Sequence, residues 1–484
     1  MKLIFEKSTL NRKGFKLPKL DVPECKLPAD NLLESEKINL PQVGELELVR
    51  HYTNLSRLNY CLDSHFYPLG SCTMKYNPKI SETIANFEDF SNLSPNLTLH
   101  KKGLQYIQGS LSLLFKLQNF LAEITGTSKV TLQPLAGAQG ELTGMLMAKA
   151  YHQIKNNHKK YVIVPDTSHG TNPASVAMAG YETISIPTGS DGQMDLAIFK
   201  EKLTDEVAAV IMTCPNTLGI FNTQIKEICD LAHKYDALTY YDGANLNAIL
   251  AKIKPAELGF DIVHLNLHKT FGTPHGGGGP GAGPVGVVDK LVPFLPEPYV
   301  IKGKNDQFSL YQQSSDSIGR VAPFLGNFQV LLKALTYILI LGKSGLEQVS
   351  EIAVLNANYI LESLKDYYQL PFKRRCMHEC VISAALQKEK GVTALDIAKY
   401  LIQEGIHPPT IYFPLTVKEA MMIEPTETET KKTLDGFIKV MIKAANLADT
   451  SKDVLKQAPS GLTFSRFDQV KAARNQNLKY EGEK

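Results

Sequence analysis

Short apolar runs rich in β-branched residues alternate with longer stretches of helical period from about residue 100 onwards, and this alternation constrains the fold more than any other feature. In the longer stretches, apolar residues recur every three or four positions, which is typical of amphipathic helices. Strands that alternate with helices predict βαβ units, and hence a mostly parallel, doubly wound sheet. The predicted strands are residues 129–132, 161–164, 207–213, 237–241, 261–265 and 284–288.

The segments before and after this α/β region have different patterns. Residues 1–95 are irregular, with prolines between short amphipathic pieces, and are expected to form an N-terminal arm that wraps over another surface. Residues 96–325 are predicted to form the large domain. Residues 326–484 are predicted to form linking helices and a smaller C-terminal α+β domain.

The C-terminal region has its own predicted elements. Helical periodicity is present in residues 323–341 and 346–364, and apolar strands are predicted at 378–386 and 420–423. The sequence Thr-Glu-Thr-Glu at 426–429 has the pattern of a capping box, which predicts a helix that begins there and runs towards Leu447.

The balance of charge and the cysteine content limit the partners and the compartment. The 484 residues carry 52 basic and 49 acidic side chains, a net charge of +3 without long runs of either sign, so no nucleic-acid partner is expected. Seven scattered cysteines do not suit a disulfide framework and indicate a reducing compartment.

The first residues lack a signal-peptide pattern, and the longest apolar stretch, 330–341, is broken by Lys333 and is too short to span a bilayer. We therefore expect a cytoplasmic protein with no membrane partner.

One lysine stands where a parallel sheet binds its ligands. The strand predicted at 261–265 runs into Asn-Leu-His-Lys at 266–269 and then into a glycine-rich segment at 272–283. This order puts Lys269 at the carboxyl edge of the sheet, where ligands of open α/β folds bind. A lysine there can serve as a Schiff-base nucleophile, although most lysines are solvated surface groups.

An aspartate ends the preceding predicted strand. Asp242 follows the apolar residues 237–241 and so belongs to the same sheet edge as Lys269. Such a carboxylate can also be a helix N-cap or a metal ligand. Beside a Schiff-base lysine, however, it fits the acid that keeps the ring nitrogen of pyridoxal phosphate (PLP) protonated, so that the ring can accept electrons.

Three further strand ends suit the same cofactor. The turn at Gly137, Ala138 and Gln139 opens a helix and can offer backbone amides to a phosphate. His169 follows another predicted strand and could lie on the ring face, and Asn216 follows a third and could bind the 3-oxygen of the ring. Each of these alone has an ordinary structural explanation. Five strand ends that each carry a suitable group favour one PLP site.

Other patterns are weaker. The sequence Cys-Met-His-Glu-Cys at 376–380 has soft metal ligands, but strand alternation explains it and zinc sites normally use paired Cys-x-x-Cys spacing, so no metal site is predicted. The glycine run at 276–283 lacks the lysine of a P-loop, and no strand-linked G-x-G-x-x-G is present. Cys72 has no assigned base, and a position near the cofactor or at a subunit contact is favoured for it.

Five motifs carry a family resemblance. They are Pro-Leu-Gly-Ser-Cys-Thr-Met-Lys at 68–75, Ser-His-Gly-Thr-Asn-Pro-Ala-Ser at 168–175, Asp-Gly-Ala-Asn at 242–245, Asn-Leu-His-Lys-Thr-Phe at 266–271 and Glu-Pro-Thr-Glu at 424–427. With these motifs the chain closely resembles the glycine cleavage system P-protein, glycine dehydrogenase (decarboxylating), and in particular subunit 2 of its two-subunit form. The resemblance runs from residues 3–7 to residues 471–474.

This resemblance implies a fold, a cofactor and a set of site residues. The fold would be PLP-dependent transferase fold type I, the aspartate-aminotransferase type, and Lys269 would be the PLP-binding lysine. By analogy with that fold, His169 would stack on the ring and Asp242 would pair with its nitrogen, so that these two and Lys269 form the catalytic set. The 3-oxygen would lie near Asn216 and Asn245, and the phosphate would be surrounded by Gly137, Ala138, Gln139, Asn266 and His268.

The resemblance also implies an activity and partners. Glycine would lose carbon dioxide at PLP, and its aminomethyl group would pass to the oxidised lipoyl arm of H-protein. The chain is about half the length of the fused P-proteins and matches their C-terminal half, so it would need P-protein subunit 1 as a partner, with two copies of each subunit. The alternatives are another PLP reaction on the same fold, either amino-acid decarboxylation without transfer or cysteine desulfuration, and a non-catalytic scaffold subunit.

Overall fold

The computed structural model describes residues 2–23, 25, 40–276 and 279–480. The chain divides into two compact units. One consists of Met1–Ser64 together with Ala458–Lys484, and the other consists of His65–Gln457. Helices and strands are numbered below in chain order.

The unit formed by the two chain ends is small and has little regular structure. It contains helix α1 (Glu45–Ser56), helix α15 (Gln469–Arg474) and a single helical turn at Phe5–Lys7. The ring of Phe5 stacks on that of Tyr480, with 4.6 Å between the ring centroids. This contact brings the first and last described segments of the chain together.

A seven-stranded sheet forms the centre of the unit His65–Gln457. Its strand order is β1-β7-β6-β5-β4-β2-β3, and its strands are parallel except for β7, which is antiparallel to both of its neighbours. The strands are β1 (Lys129–Thr131), β2 (Tyr161–Pro165), β3 (Glu182–Ile186), β4 (Val207–Thr213), β5 (Leu238–Gly243), β6 (Ile262–Leu265) and β7 (Val285–Val287).

The observed sheet confirms the predicted strands and adds one. Each of the six predicted apolar runs overlaps one of the strands, and the sheet is mostly parallel as expected. Strand β3 has no apolar run, because it lies at the edge of the sheet and most of its side chains are not buried. A hydrophobicity pattern detects such a strand poorly, since burial is what produces the pattern.

Helices cover both faces of this sheet, as a doubly wound sheet requires. Helix α5 packs closely on it because Gly144 has no side chain, and a Cβ at that position would lie 2.2 Å from Cε2 of Tyr240. The helices of this region are α2 (Lys79–Ala85), α3 (Glu88–Ser91), α4 (Gln108–Thr125), α5 (Gly137–Ile154), α6 (Thr171–Met178), α7 (Leu196–Lys202), α8 (Ile225–Lys234) and α9 (Leu267–Thr270). Single helical turns lie at Pro95–Leu99, Gly103–Ile107, Leu246–Ala248, Pro255–Leu258, Asp289–Phe294 and Lys304–Asp306, and a hairpin is formed by β8 (Tyr299–Lys302) and β9 (Phe308–Tyr311).

One long helical segment, α10 (Phe328–Leu364), connects the large sheet to the C-terminal region. Its backbone is not helical at Gly342, where φ is 59° and ψ is −172°, so the segment is two helices, close to the two that the sequence predicts. The segment is long and apolar enough to cross a membrane, but half of its most apolar window is buried inside the protein. Burial of this kind is what a core helix shows, so the length and composition are weak evidence for a membrane span.

The C-terminal region forms a smaller α+β domain, as predicted. Its three-stranded antiparallel sheet has the order β10-β12-β11. The strands are β10 (Cys380–Ser383), β11 (Thr410–Ile411) and β12 (Ala420–Ile423), and the helices are α11 (Ala385–Glu389), α12 (Ala394–Gln403), α13 (Lys431–Thr450) and α14 (Lys452–Gln457). The strand predicted at 378–386 is shorter than expected, because α11 begins at Ala385.

The predicted helix start at residues 426–429 is wrong. Thr426 has a φ of 66°, and its hydroxyl oxygen accepts a hydrogen bond from the backbone of Thr428. Helix α13 begins at Lys431 instead, and its N-cap is Thr430, whose hydroxyl accepts a hydrogen bond from the backbone N–H of Thr433 at 3.2 Å. Thr430 has no Glu or Gln three residues later, so the capping-box pattern marks a threonine that does not start the helix.

The division of the chain differs from the predicted boundaries at 95/96 and 325/326. Residues 65–95 belong to the same compact unit as the large sheet, because α2 packs against α10 and the segment before α2 binds the C-terminal domain. The last residues, from Ala458, belong with the N-terminal segment and not with the small domain.

A buried lysine joins three of these regions. Lys75 is 1% exposed, and its ammonium group donates to the carbonyl of Thr270 at 2.6 Å, to the hydroxyl of Tyr337 at 3.0 Å and to a carboxylate oxygen of Glu427 at 2.7 Å. Burial alone would lower the pKa of Lys75, but the charge of Glu427 and the contact with Tyr337 raise it above its ordinary value. The lysine is therefore a permanent cation that links the end of α9, helix α10 and the segment after β12.

We expect the substitution Lys75→Met to lower the free energy of unfolding by about 3–5 kcal/mol, because it leaves the buried carboxylate of Glu427 without its partner. Lys226→Met is the matched control, since Lys226 forms an exposed pair with Asp230 and should change stability by about 0.5 kcal/mol or less. Urea denaturation of both variants measures the difference. Equal effects of the two substitutions would contradict a structural role for Lys75.

Candidate active site

The register of three neighbouring strands places polar side chains in one row. Thr213 of β4 lies opposite Asp242 of β5, and Asp242 lies opposite His264 of β6. All three side chains are buried. They lie towards the carboxyl ends of parallel strands, which is the edge where the sequence predicts the cofactor.

Asp242 accepts hydrogen bonds from three donors although it is almost completely buried. Its Oδ2 atom accepts from Nδ2 of Asn172 at 3.1 Å and from the hydroxyl of Thr213 at 3.2 Å, and its Oδ1 atom accepts from the backbone N–H of Ala244 at 3.1 Å. A buried carboxylate is stable only when donors of this kind replace its water.

These surroundings keep Asp242 ionised. Burial raises the pKa of Asp242, but His264, the hydrogen bonds and the charge of Lys269 together hold the pKa below its ordinary value. His264 Nε2 lies 3.5 Å from Oδ1 of Asp242, while Nδ1 of His264 contacts the hydroxyl of Tyr240 at 2.8 Å. Burial lowers the pKa of His264 and the charge of Asp242 opposes that shift, so the two groups titrate as a coupled pair.

Lys269 lies in α9, a single turn of helix that follows β6 directly. The carbonyl of Asn266 accepts a hydrogen bond from the backbone N–H of Lys269 at 3.0 Å, which fixes this turn. The lysine side chain is half-buried. Its positive charge shifts the pKa of ionisable groups from several regions of the unit, namely Cys72, Glu141, His169, Asp242, His264, His268, His275, His378, Glu379 and Glu424. The predicted Schiff-base lysine is thus at the centre of the acidic and imidazole groups.

The N-terminus of α5 is built to receive an anion. The helix begins at Gly137, and its N-cap residue, Ala136, has no side chain that could cap it. The first backbone N–H groups of a helix have no partner within the helix, so those of Gly137, Ala138 and Gln139 face outwards with the positive end of the helix dipole.

Side chains beside this helix start lack partners. Oδ1 of Asn266 and Nδ1 of His268 are buried and make no hydrogen bond within the described residues. Gly137 is required there, because a Cβ would lie 2.4 Å from Oδ1 of Asn266. Burial lowers the pKa of His268 to about 3, so its ring is neutral and can donate one proton or accept one. The ring of His268 can donate to an anion with several oxygens, such as the phosphate of PLP, and Asn266 can do so when its amide is turned over to present Nδ2.

The side chain of Gln139 is already hydrogen-bonded within the protein. Its Oε1 atom accepts a hydrogen bond from the backbone N–H of Leu135 at 2.7 Å, and its Nε2 atom donates to the carbonyl of Val321. The amide therefore holds two loops together, and the contribution of Gln139 to an anion site is its backbone N–H.

His169 and Glu141 form a second part of the site. Nδ1 of His169 contacts the hydroxyl of Thr171 at 2.9 Å, and that hydroxyl donates to Oε1 of Glu141 at 2.8 Å. His169 is exposed to solvent on part of its surface. Burial of the rest of the ring, together with the charge of Lys269, lowers the pKa of His169. This chain of contacts fixes the orientation of the imidazole.

The two predicted asparagines differ in how free they are. Asn216 is committed to its own turn: its Oδ1 atom accepts from the backbone N–H groups of Leu218 and Ile220, and its Nδ2 atom donates to the carbonyl of Gly192. Asn245 is buried, and its Oδ1 atom has no partner within the described residues. The side chain of Asn245 can therefore bind a ligand, whereas that of Asn216 stabilises the loop after β4.

Sequence reasoning misses several groups around Lys269. Asn172 and His264, which hold Asp242, are not predicted, and neither are Glu379 and Glu424 of the small domain. The two glutamates are completely buried, and each follows or precedes an apolar strand. An acid directly beside a strand of apolar residues is the signal that the sequence offers for them.

Comparison with known proteins identifies the family. A family model described as glycine dehydrogenase, C-terminal domain, matches residues 349–460. A protein of Bacillus licheniformis named glycine dehydrogenase (decarboxylating) subunit 2 is 51% identical over 483 residues, which is 99% of this chain and 98% of the relative. A protein of Listeria innocua with the same name is 50% identical over 487 residues, which is 100% of this chain and 99% of the relative.

Solved structures confirm the fold. A crystal structure of glycine decarboxylase (P-protein) of the glycine cleavage system, in inhibitor-bound form, aligns with a TM-score of 0.69 at 20% identity over 86% of this chain and 92% of that chain. A cysteine desulfurase from Thermococcus onnurineus aligns with a TM-score of 0.62 at 12% identity over 79% of this chain and 95% of that chain. Both have PLP fold type I, which is the predicted fold class. Since relatives at 51% and 50% identity match the chain over almost its whole length, this chain belongs to the family of glycine dehydrogenase (decarboxylating) subunit 2.

Proposed function

We propose that this chain is the PLP-binding subunit of a glycine decarboxylase that acts with lipoylated H-protein. The carbon–carboxyl bond of glycine breaks and carbon dioxide leaves. A new bond forms between the remaining carbon and one sulfur of the lipoyl disulfide, and the other sulfur becomes a thiol. The disulfide is thus the oxidant, and no nicotinamide is needed.

The observation that carries this proposal is the ionised Asp242 at the same sheet edge as Lys269 and the uncapped start of α5. PLP, when bound, supplies a ring that accepts the electron pair released by decarboxylation. Asp242 would hold the ring nitrogen, because it is the anionic acceptor that stays ionised in this buried row. A scaffold subunit has no need for a carboxylate whose burial must be offset by three hydrogen bonds.

The other residues would position the cofactor and the substrate. The amine of Lys269 would hold the cofactor covalently until glycine replaces it. The phosphate would be bound by the backbone N–H groups of Gly137, Ala138 and Gln139, with Asn266 and His268 beside them. His169, oriented through Thr171 and Glu141, would cover the ring face, and Asn245 would lie near the 3-oxygen.

The assembly and the location are further parts of the proposal. Membership of the subunit 2 family implies a partner subunit 1, and we infer two copies of each subunit in the complete enzyme. The scattered cysteines and the balanced charge support a cytoplasmic enzyme whose partners are proteins and glycine, without nucleic acid or a membrane.

Replacement of the lysine tests the catalytic assignment. Lys269→Ala should remove the visible absorbance of lysine-bound PLP and reduce glycine-dependent carbon dioxide exchange to background, because the amine that would hold the cofactor is lost. Lys226→Ala, at an exposed lysine, is the control and should change neither signal. Exchange at a near-normal rate in Lys269→Ala would show that Lys269 is not the catalytic lysine.

Replacement of the aspartate tests its effect on the ring. Asp242→Asn should retain PLP but lower kcat by about 100-fold or more, because the negative charge that stabilises a protonated ring nitrogen is lost. Asp261→Asn is the matched control: Asp261 is also buried and ionised, through His233 and Lys290, but it precedes β6 at the opposite end. The control should lower stability and leave the exchange rate of the folded enzyme largely intact. An unchanged rate in Asp242→Asn would remove its proposed role.

The complete activity is tested by exchange of labelled bicarbonate into glycine, with PLP and lipoylated H-protein, in the presence and absence of subunit 1. We expect exchange only when subunit 1 is added. Carbon dioxide release from glycine without transfer to H-protein, or sulfur release from cysteine, would favour another reaction on this fold. Absence of bound PLP in the wild-type chain would favour the scaffold alternative.

A further inference from the structure

A tight turn at residues 70–73 lies against the C-terminal domain. Ser71 and Thr73 have positive φ angles of 65° and 46°, a conformation that residues other than glycine rarely adopt. Gly70 has no room for a side chain, because a Cβ would lie 2.2 Å from Cγ of Met422 in β12. Backbone of this kind persists only when the surrounding structure holds it in place.

Two buried glutamates hold this turn. Oε2 of Glu379 accepts a hydrogen bond from the backbone N–H of Ser71 at 2.8 Å. Glu424 accepts from the backbone N–H of Thr73 at 3.1 Å and from its hydroxyl at 2.5 Å, and it accepts a further bond from Nδ2 of Asn247 at 3.2 Å. These bonds tie the turn to the small domain, and they tie Glu424 to the loop after β5 as well.

The two carboxyl groups are too close to carry two full negative charges. Both residues are completely buried, and one oxygen of each lies within 4.8 Å of the other. Burial raises the pKa of both, and the charge of Glu424 raises that of Glu379 further. The groups that face the pair are Lys269, which lowers both pKa values, the neutral ring of His378, and the thiols of Cys72, Cys376 and Cys380. Two like charges at this distance in a buried site favour the retention of one proton between them.

The residue that this turn presents is Cys72. It lies between the two clamped residues, is only partly buried, and is close enough to Lys269 for the lysine charge to lower its thiol pKa against the larger effect of burial. Lys75, three residues further on, binds the carbonyl of Thr270 next to Lys269, so the turn lies beside the Lys269 site.

We propose that Glu379 and Glu424 share one proton and are a pair of positioning residues, which fix the turn at 70–73 and so place Cys72 at the edge of the Lys269 site. Their contribution to catalysis rests on the proposed function, but their effect on the turn does not. The pair acts through the turn and does not contact the reacting atoms itself.

Alanine and glutamine variants separate geometry from charge. Glu379→Ala and Glu424→Ala remove the acceptors, whereas Glu379→Gln and Glu424→Gln remove the same carboxylate and keep a carbonyl acceptor. Glu297→Ala is the matched control, because Glu297 is also buried and its carboxylate accepts from the backbone of Ser314 at 3.0 Å in a different loop. All variants are made in the full chain with PLP present.

The first readout is the rate of alkylation of Cys72 by iodoacetamide, measured by mass spectrometry with the exposed Cys61 as internal reference. The alanine variants should label Cys72 about tenfold faster than the matching glutamine variants, because alanine removes the hydrogen-bond acceptor of the turn and glutamine keeps one. Glu297→Ala should label like the wild type. Equal rates in the alanine and glutamine variants would overturn the positioning role.

The second readout is the pH at which the infrared band of the protonated carboxyl disappears. Removal of one partner removes its charge, so the remaining group should ionise at lower pH in either glutamine variant than in the wild type. The same midpoint in all three proteins, or one bound divalent metal ion per wild-type chain that both variants lose, would overturn the shared proton.

The third readout is glycine exchange with subunit 1 and H-protein. The alanine variants should lose kcat, and the glutamine variants should recover most of it. Neither labelling nor the infrared band requires glycine, so a wild type that shows both expected signals without exchange refutes the proposed function alone. Full activity in the alanine variants, in an enzyme that does exchange, would overturn the catalytic part of the inference.

Discussion

The buried cation of Lys75 is the interaction on which the geometry of this unit depends. It comes from a segment that lies far from the sheet in sequence, and it binds the carbonyl of Thr270, one residue after Lys269. Its other partners, Tyr337 and Glu427, belong to α10 and to the segment after β12. A charge in this position is costly unless all of its donors are used, so the three regions can pack in only one arrangement.

That arrangement explains why the candidate site has two halves. The sheet supplies Asp242 and Lys269 from strand ends, in a register that the parallel hydrogen bonding fixes. The small domain supplies Glu379 and Glu424, which bind the turn at 70–73, and Glu424 also binds Asn247 of the loop after β5. A substitution that loosens either half should therefore alter the surroundings of the one lysine that both share.

Periodicity and strand-end chemistry predict the sheet half of the site and miss the rest. Lys269, Asp242 and the start of α5 follow from local order, because a parallel sheet brings its carboxyl ends together. The hydrogen bonds of Asn172 and Glu424 join residues far apart in the sequence, and no local pattern contains them. The start of α13 is displaced because its N-cap, Thr430, lacks a capping-box partner, and the edge strand β3 is missed because most of its side chains are not buried.

The carboxyl groups near Lys269 differ in charge because they differ in donors. Asp242 accepts from three donors and stays ionised, whereas Glu141 accepts from Thr171 alone, and burial with the nearby charge of Asp242 raises the pKa of Glu141 to about 8. At neutral pH the site therefore holds one anion beside one neutral acid. The number of donors, and not the residue type, separates the two acids.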